Sequence, residues 1–379
     1  MLKEEERKYL DEKYELCHRR GNNRLLSSVM RCIRKERKIL KPDNEFSIFE
    51  MSNLVQLWLQ TPACRYSEEG MCTICNYWAG QKIQRLIDKV EEEVCIPQNA
   101  DTILINTCGS CLDQRELTLA EQEQLFKWLG RQHAKDIIFE THMATLSEDT
   151  VQRVHAMLPD KKVFFEIGQE SIDKDVQFYC LNKPLSDAGR KCILDRIRRY
   201  GMESIVNVIL GAPFLNRDEQ IADAIYSINE LLQEGADYIM LFPVNIKPDT
   251  LIHFLYKVGL YEPIDGEMIV RVLEAIPEQF LSRINTAWYG EHQETGVISP
   301  NIPEEDKDEF YEIMAAYNSS NSTRERKEQV RTLLHMVEAW NMVSGKGMMD
   351  YPIVERLDKA YNIFCTEILE KTEKNSHER

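Results

Sequence analysis

The chain has 379 residues, 43% hydrophobic and 29% charged, enough for a sizeable core in one barrel-sized domain with additions or in two smaller domains. No apolar run approaches the roughly 18 residues that span a bilayer, and the charged start MLKEEERKYLDEKYE lacks a signal pattern, so the expectation is a cytoplasmic protein without membrane contact. The formal charge of −16 speaks against a broad basic face for nucleic acid, and eleven cysteines without a secretion signal favour reduced thiols and metal ligands over disulfides.

Residues 1–45 carry helical periodicity, with Leu10, Tyr14 and Cys17 on one face, then Leu25, Val29 and Ile33 on the next. The turn residues Lys41, Pro42, Asp43 and Asn44 close this segment. Between Arg19 and Lys41, nine Lys or Arg residues stand against Glu36 alone. Two readings stay open: a solvated helix face paired with the acidic body, or a site for an anionic substrate or RNA.

Strand-like and helical stretches then alternate. The predicted strands are 54–59, 102–107, 136–140, 162–168, 204–210 and 238–242, with amphipathic stretches at 119–132, 185–200 and 218–234. Short, almost wholly apolar strands separated by helices predict a parallel sheet covered on both faces. In parallel sheets covered by helices the chemistry sits at the C-terminal strand ends. Residues 283–289 read as one more strand or edge, and 303–375 as helices, with Leu333, Val337 and Trp340 on an apolar stripe that caps the barrel or forms a dimer surface.

Directly after the first strand comes CRYSEEGMCTIC, with Cys64, Cys72 and Cys75 at spacings of seven and two. Thiolates select zinc, copper(I) or iron–sulfur clusters, and three of them are one short of a closed site. A zinc knuckle with a distant fourth ligand competes with a cubane whose fourth iron is open, and short of Cys95 and His133 no further Cys or His follows to complete the knuckle.

After the second strand, Gly109 in Cys108-Gly109-Ser110-Cys111-Leu112-Asp113 lets backbone approach a ligand. Cys108 and Cys111 face the active site in this reading, as small apolar fillers, as a hydrogen-atom donor or substrate-binding thiol, or, with Cys180 or Cys192, as a second metal site. His142, after Glu140 at the third strand end, is either a proton-transfer group or a local hydrogen-bonding residue. At the fourth strand end Glu170 is suited to read a diol, or is simply an acid favoured at a helix N-terminus. Asn207 and Leu210 on the fifth strand are further candidates for a ligand site, strand alternation permitting either to face outward.

The cysteine stretch, with Ile74 before the last cysteine and Tyr77 after it, resembles the radical S-adenosylmethionine (radical SAM) superfamily, although the common spacing there is three and two. The setting TPACRYSEEGMCTICNYW is similar to the branch of archaeosine-biosynthesis radical SAM enzymes, related to the elongator-type ones. Further matches are Gly109-Ser110 followed by Asp113, Glu170-Ser171 with Leu181-Asn182-Lys183, Pro213-Phe214-Leu215, and Tyr261-Glu262-Pro263, so the resemblance covers roughly residues 50 to 265. Lys247 and Asp249 depart from the Gln and Gly of that branch on the substrate side.

The resemblance implies an α/β fold, a partial (β/α)6 barrel over 46–265, between an N-terminal helical segment (1–45) and a mostly helical extension (266–379). It implies a four-iron four-sulfur cluster on Cys64, Cys72 and Cys75 and S-adenosylmethionine held by Tyr77, Gly109, Ser110, Glu140, Glu170, Asn207 and Leu210. Cys108, Cys111 and His142 are the catalytic candidates; Asp113 and Asn245 face the substrate.

The implied reaction is reductive cleavage of S-adenosylmethionine to a 5'-deoxyadenosyl radical, in an oxidoreductase or lyase of a biosynthetic pathway. Its electron would come from a donor such as flavodoxin or ferredoxin. The acidic charge and the substituted sixth-strand turn favour a small metabolite, an amino acid derivative or a peptide as substrate. The alternatives are a 7-deazaguanine-type base in tRNA, aminocarboxypropyl transfer from S-adenosylmethionine, and a non-catalytic zinc-binding protein.

Overall fold

The computed structural model describes the chain apart from residues 17–21, 36–44, 52, 78–79, 184, 186, 288, 291–295, 341–349 and 371–379. Cys17, Arg19, Arg20, Glu36, Arg37, Lys38 and the turn at 41–44 therefore lie outside the described residues. In chain order the elements begin with helices α1 (Glu4–Lys13) and α2 (Arg24–Lys35), the hairpin β1 (Phe46–Met51) and β2 (Leu54–Leu59), one-turn α3 (Arg65–Glu68), and α4 (Leu86–Glu93). Then follow β3 (Thr102–Asn106), α5 (Leu119–Arg131), β4 (Asp136–Thr141), α6 (Glu148–Met157), β5 (Lys162–Glu170), α7 (Asp187–Arg199), β6 (Glu203–Leu210), α8 (Arg217–Glu234) and β7 (Tyr238–Pro243). Helices α9 (Leu251–Lys257) and α10 (Gly266–Ala275), strand β8 (Ile284–Thr286), and helices α11 (Lys307–Ser319), α12 (Thr323–Glu338) and α13 (Ile353–Ile363) complete the chain.

Among the described residues the eight strands form one sheet in sequence order, with β1 antiparallel to β2 and every later pair parallel. The sheet curls into an open half-barrel with helices around it. The strand alternation is legible in burial. Val55, Leu57, Ile103, Ile105, Ile137, Phe139, Val163 and Phe165 pack outward against Leu86, Val90, Leu125 and Phe126 of α4 and α5. On the later strands Val206, Val208, Leu210, Ile239 and Leu241 do the same against Ile228 and Leu231 of α8.

The boundaries at 45 and 265 do not separate independent cores. Helices α10, α11 and α12 share an apolar cluster with β6, β7 and α8. Another cluster joins α1 and α2 to α13 and to residues 176–181. Within it the Tyr361 hydroxyl donates to the Tyr179 carbonyl (2.8 Å) and accepts from Asn23 Nδ2 (2.9 Å). One strand escapes sequence reading: β1 has four of its six residues exposed, Phe49 at 52% and Met51 at 49% among them. It therefore lacks the two-residue burial rhythm of its partner β2.

Candidate active site

The cysteine loop leaves β2 and is fastened from three sides. Thr73 N–H donates to the Leu181 carbonyl (3.1 Å) and its hydroxyl to the Cys180 carbonyl (2.8 Å), while Leu251 N–H, opening α9, donates to the Thr73 carbonyl (2.9 Å). Asn182, held at φ 51°, donates to the Gly70 carbonyl (3.1 Å) and accepts the Asn23 N–H (2.7 Å). Gly70, at φ 77°, lies so close to α2 that a Cβ there would meet the Ser27 carbonyl oxygen. Cys72 itself adopts φ 59°, a costly conformation that only firm surroundings maintain.

The third fastening comes from the basic segment. Arg34 on α2 is 5% exposed, and its guanidinium donates to the carbonyls of Ser67, Met71 (3.0 Å), Cys72 (3.3 Å) and Cys75 (3.3 Å). Burial lowers its basicity, and the Cys75, Cys72 and Cys64 sulfurs pull the other way, which marks all three thiols as neighbours of one cation. Composition alone hid this role of Arg34 in securing the cysteine loop, because a basic run reads as a solvated face.

The three thiols share an environment. Burial pushes Cys64 well above the ordinary thiol range, with Cys72 and Cys75 raising it further; burial pushes Cys72 up to about 12, opposed by Lys183 and aided by Cys75, and burial likewise raises Cys75. Such thiols hold their protons until a metal replaces them. Cys64 Sγ lies 3.4 Å from His142 Nε2, and the His142 ring meets Tyr66 edge-on at 5.0 Å. Burial drops His142 to about 3, so its imidazole is neutral.

Gly109 sits where no side chain fits: a Cβ would meet Glu116 Oε1 at 2.6 Å, His142 Nε2 at 2.8 Å and Cys64 Cβ at 2.9 Å. Glu116, which carried no sequence signal, accepts the N–H groups of Gly109 (3.1 Å) and Ser110 (2.8 Å) and the Thr61 hydroxyl (2.8 Å). Burial lifts it to about 7 despite those bonds. The Ser110 hydroxyl is engaged with Thr141 (2.6 Å) and Thr145 (3.2 Å).

Asp113, expected to face substrate, instead forms a two-pronged ion pair with Arg65 beside Cys64 (2.6 and 2.9 Å). Cys108 is bound to Thr61 through its N–H (3.2 Å) and Sγ (3.3 Å), and burial pushes it up to about 11. Cys111 is fully buried among the outward apolar residues. Cys180 belongs to the cluster of α1, α2 and α13, and Cys192 is exposed, so neither is placed with Cys108 and Cys111.

Toward the barrel mouth, Glu170 stands at φ 68° beside a register shift between β5 and β6, and its carboxylate pairs with Lys183 (2.7 Å). Burial opposes the charge on Lys183, and Glu170 more than offsets it, so the ammonium is held above its usual range. The Tyr77 hydroxyl accepts from Lys247 Nζ (3.2 Å), whose ammonium also lies 4.9 Å from the ring, and Trp58 packs at 5.0 Å on the same ring. Asn245, just past β7, is buried with its Oδ1 unpartnered. Leu210 lies in the outer apolar layer, away from the inner face.

Glu140 and Asn207, expected at the cofactor, do face inward, and the sheet joins them to Asn106 and Glu166. Asn106 Nδ2 donates to Glu140, Asn207 Nδ2 donates to Glu166 (3.1 Å), and Glu140 stands directly opposite Glu166 on the neighbouring strand. Burial and the Glu140 carboxylate push Glu166 up to about 8, and burial raises Glu140 as well.

No family model matches the chain. Archaeosine synthase subunit beta of Methanosarcina acetivorans is 23% identical over 212 residues, 54% of this chain and 61% of the relative. Its counterpart in Thermococcus kodakarensis is 23% identical over 218 residues, 54% and 66%. The chain thus spans less than two thirds of the length of these two curated relatives.

Similar solved structures include the radical S-adenosylmethionine methyltransferase TsrM from Kitasatospora setae with cobalamin and a [4Fe-4S] cluster bound (TM-score 0.43, 10% identity, 75% of this chain and 61% of that one). Elp3 of Methanocaldococcus infernus (0.42, 17%, 61% and 57%) and methylornithine synthase PylB (0.43, 13%, 86% and 91%) are others. The chain resembles radical SAM enzymes in its partial barrel and archaeosine synthase subunit beta in its sequence.

Proposed function

We propose that this chain is a radical SAM enzyme in which Cys64, Cys72 and Cys75 hold a four-iron four-sulfur cluster. The observation that carries the reading is the cysteine loop itself: three thiols around one buried guanidinium, on a loop tied to α2, α9 and residues 180–182. Among the described residues no three Cys, His, Asp or Glu side chains converge as ligands of one metal ion. A closed zinc site would need a fourth ligand beside Cys64, Cys72 and Cys75, whereas a four-iron four-sulfur cluster held by three thiolates keeps one iron open.

When bound, the cluster supplies the electron that cleaves S-adenosylmethionine into methionine and a 5'-deoxyadenosyl radical able to take hydrogen from an unactivated carbon. The residues of the chain position and shield that chemistry. Gly109 keeps the strand end narrow beside Cys64, and Glu116 fixes its backbone. Glu170, oriented by Lys183, accepts the ribose hydroxyls, and Tyr77 with Lys247 borders the cofactor from the β7 side. His142, neutral and against Cys64, excludes water from that thiolate.

The substrate is a small metabolite, an amino acid derivative or a peptide, consistent with the −16 charge. Archaeosine synthase subunit beta, as a sequence relative, favours a second reading, a 7-deazaguanine-type base in tRNA. One anaerobic experiment tests both. Reconstituted protein is reduced with S-adenosylmethionine, and nucleoside products are followed by mass spectrometry with and without bulk tRNA. The expected product is 5'-deoxyadenosine; methylthioadenosine would indicate aminocarboxypropyl transfer, and strong stimulation by tRNA would overturn the small substrate. Protein that takes up zinc but no cluster and makes no nucleoside would sink the enzyme reading.

A further inference from the structure

A side-chain nitrogen reaches one of the three thiols of the cysteine loop. Nε2 of His142, the residue after β4, lies 3.4 Å from Cys64 Sγ. At Cys75 the corresponding contact is a backbone one, with Tyr77 N–H donating to Sγ (3.4 Å). Cys64 therefore differs from Cys75 in being met by a group that a single substitution can remove.

The imidazole is held in place from several directions. His142 is 8% exposed, and its carbonyl accepts the Thr145 N–H (3.1 Å) and the Thr145 hydroxyl (2.8 Å), which pins the backbone just beyond β4. Tyr66, on the one-turn helix that starts beside Cys64, meets the ring edge-on at 5.0 Å. A Cβ at Gly109 would stand 2.8 Å from Nε2 and 2.9 Å from Cys64 Cβ, so the missing side chain keeps the space between imidazole and thiol clear.

The direction of the contact follows from chemistry. A thiolate bound to iron has no proton to give and can only accept, whereas a neutral imidazole carries one N–H, on whichever nitrogen the surroundings select. With Cys64 as a cluster ligand, Nε2 is the donor. An added electron spreads negative charge onto the sulfurs, so a hydrogen bond to one of them is stronger in the reduced state.

Shielding acts with the opposite sign. If His142 merely kept water away, its removal would bring a high-dielectric medium to the cluster, favour the more highly charged reduced state and raise the potential. Loss of an N–H donor lowers it.

We propose that His142 is a positioning residue for electron entry: it donates Nε2–H to the iron-bound Cys64 thiolate and thereby raises the reduction potential of the cluster. The electron comes from a low-potential one-electron donor, and no covalent bond changes in this step. The inference rests on the radical reading above and goes beyond the shielding given to His142 there.

The test is an anaerobic redox titration of reconstituted full-length protein, comparing the parent with His142→Phe and His142→Gln. Iron, sulfide and melting temperature are measured on the same samples. His142→Phe should shift the reduction equilibrium about tenfold toward the oxidised cluster, about 59 mV for one electron. His142→Gln, whose amide keeps an N–H, should recover part of that shift. In parent protein labelled with 15N-histidine, electron–nuclear double resonance of the reduced cluster should show a weakly coupled nitrogen.

An unchanged or raised potential in His142→Phe, an equal fall in both variants, or a parent cluster without the nitrogen coupling overturns the proposal. A coupling as large as that of directly bound imidazole also overturns it, by making His142 a ligand. Where neither variant holds a cluster, the nitrogen coupling of the parent decides. A loaded parent that lacks the coupling overturns this inference alone, whereas a parent that takes up no reducible cluster overturns the radical reading and this inference with it.

Discussion

Four carbonyls of the cysteine loop, those of Ser67, Met71, Cys72 and Cys75, are met by a single guanidinium, whereas in the inner-face belt of Asn106, Glu140, Glu166 and Asn207 the two buried amide oxygens have no hydrogen-bond partner. The loop is held by bonds from α2, α9 and residues 180–182; the belt's amide nitrogens find carboxylate acceptors, and its amide oxygens find no donor. The loop's backbone acceptors are met from outside, while on the inner face two side-chain acceptors are left waiting, at some cost to stability.

That contrast can be broken most sharply at the cysteines. Cys72→Ala should abolish cluster uptake altogether, read as iron and sulfide per chain after reconstitution; retention of stoichiometric iron would dissociate the loop from the cluster. Next in size is Arg34→Met, which leaves loop carbonyls without their charged donor and should cost about 3 kcal/mol in urea unfolding of the apo-protein. Arg34→Lys should recover only part of this, because an ammonium cannot reproduce the planar fork. A loop indifferent to both changes would not be the over-secured region described above.

On the belt the sign reverses. The folded protein raises Glu166 from 4.5 to about 8, because of burial and then the facing Glu140. The native state therefore binds more protons than the unfolded one, and stability declines as pH rises from about 4.5 toward 8, then levels off. The two carboxyls titrate as a pair. Glu166→Gln should flatten that slope and raise stability near pH 7.5 by about 1–2 kcal/mol, measured by urea melts across pH. A variant less stable than the parent at every pH would mean that the belt is already satisfied. Smallest of all, Cys192→Ser on the exposed face of α7 should change stability by less than about 0.5 kcal/mol and leave iron content untouched.

Much of the barrel was legible because its strands are short apolar runs: β2 matches the predicted 54–59, and β3 to β7 differ from their predicted ranges by one or two residues at an end. The hairpin strand β1 was not, since an edge exposed on both faces has no burial rhythm to print on its sequence. At the site, Cys64, Cys72, Cys75 and Gly109 announced themselves by spacing or by the one residue type that fits. Arg34 and Glu116 did not, because their importance lies in which backbone groups they reach, and that is fixed only when α2 and the 107–117 loop have docked. The belt did leave a trace: TILIN, DIIFE, KVFFEIG and SIVNVIL each interrupt an apolar strand with an acid or amide. Glu166 and Asn106 carry no signal of their own, because a single polar residue within an apolar strand does not reveal which face of the sheet it takes.

The joining of α2 to α13 sets an order of events during synthesis. Asn23, which opens the helix carrying Arg34, is anchored to Tyr361, and Tyr14 packs edge-on against the same ring at 5.1 Å. The cysteines leave the ribosome long before Tyr361 does, so through most of translation they are thiols without their buttress. Iron insertion would then be a late, post-translational event, and nascent chains stalled before Ile353 should fail to retain a cluster that the released chain accepts. If stalled chains retain iron as well as released ones, the buttress is dispensable and maturation can begin on the ribosome.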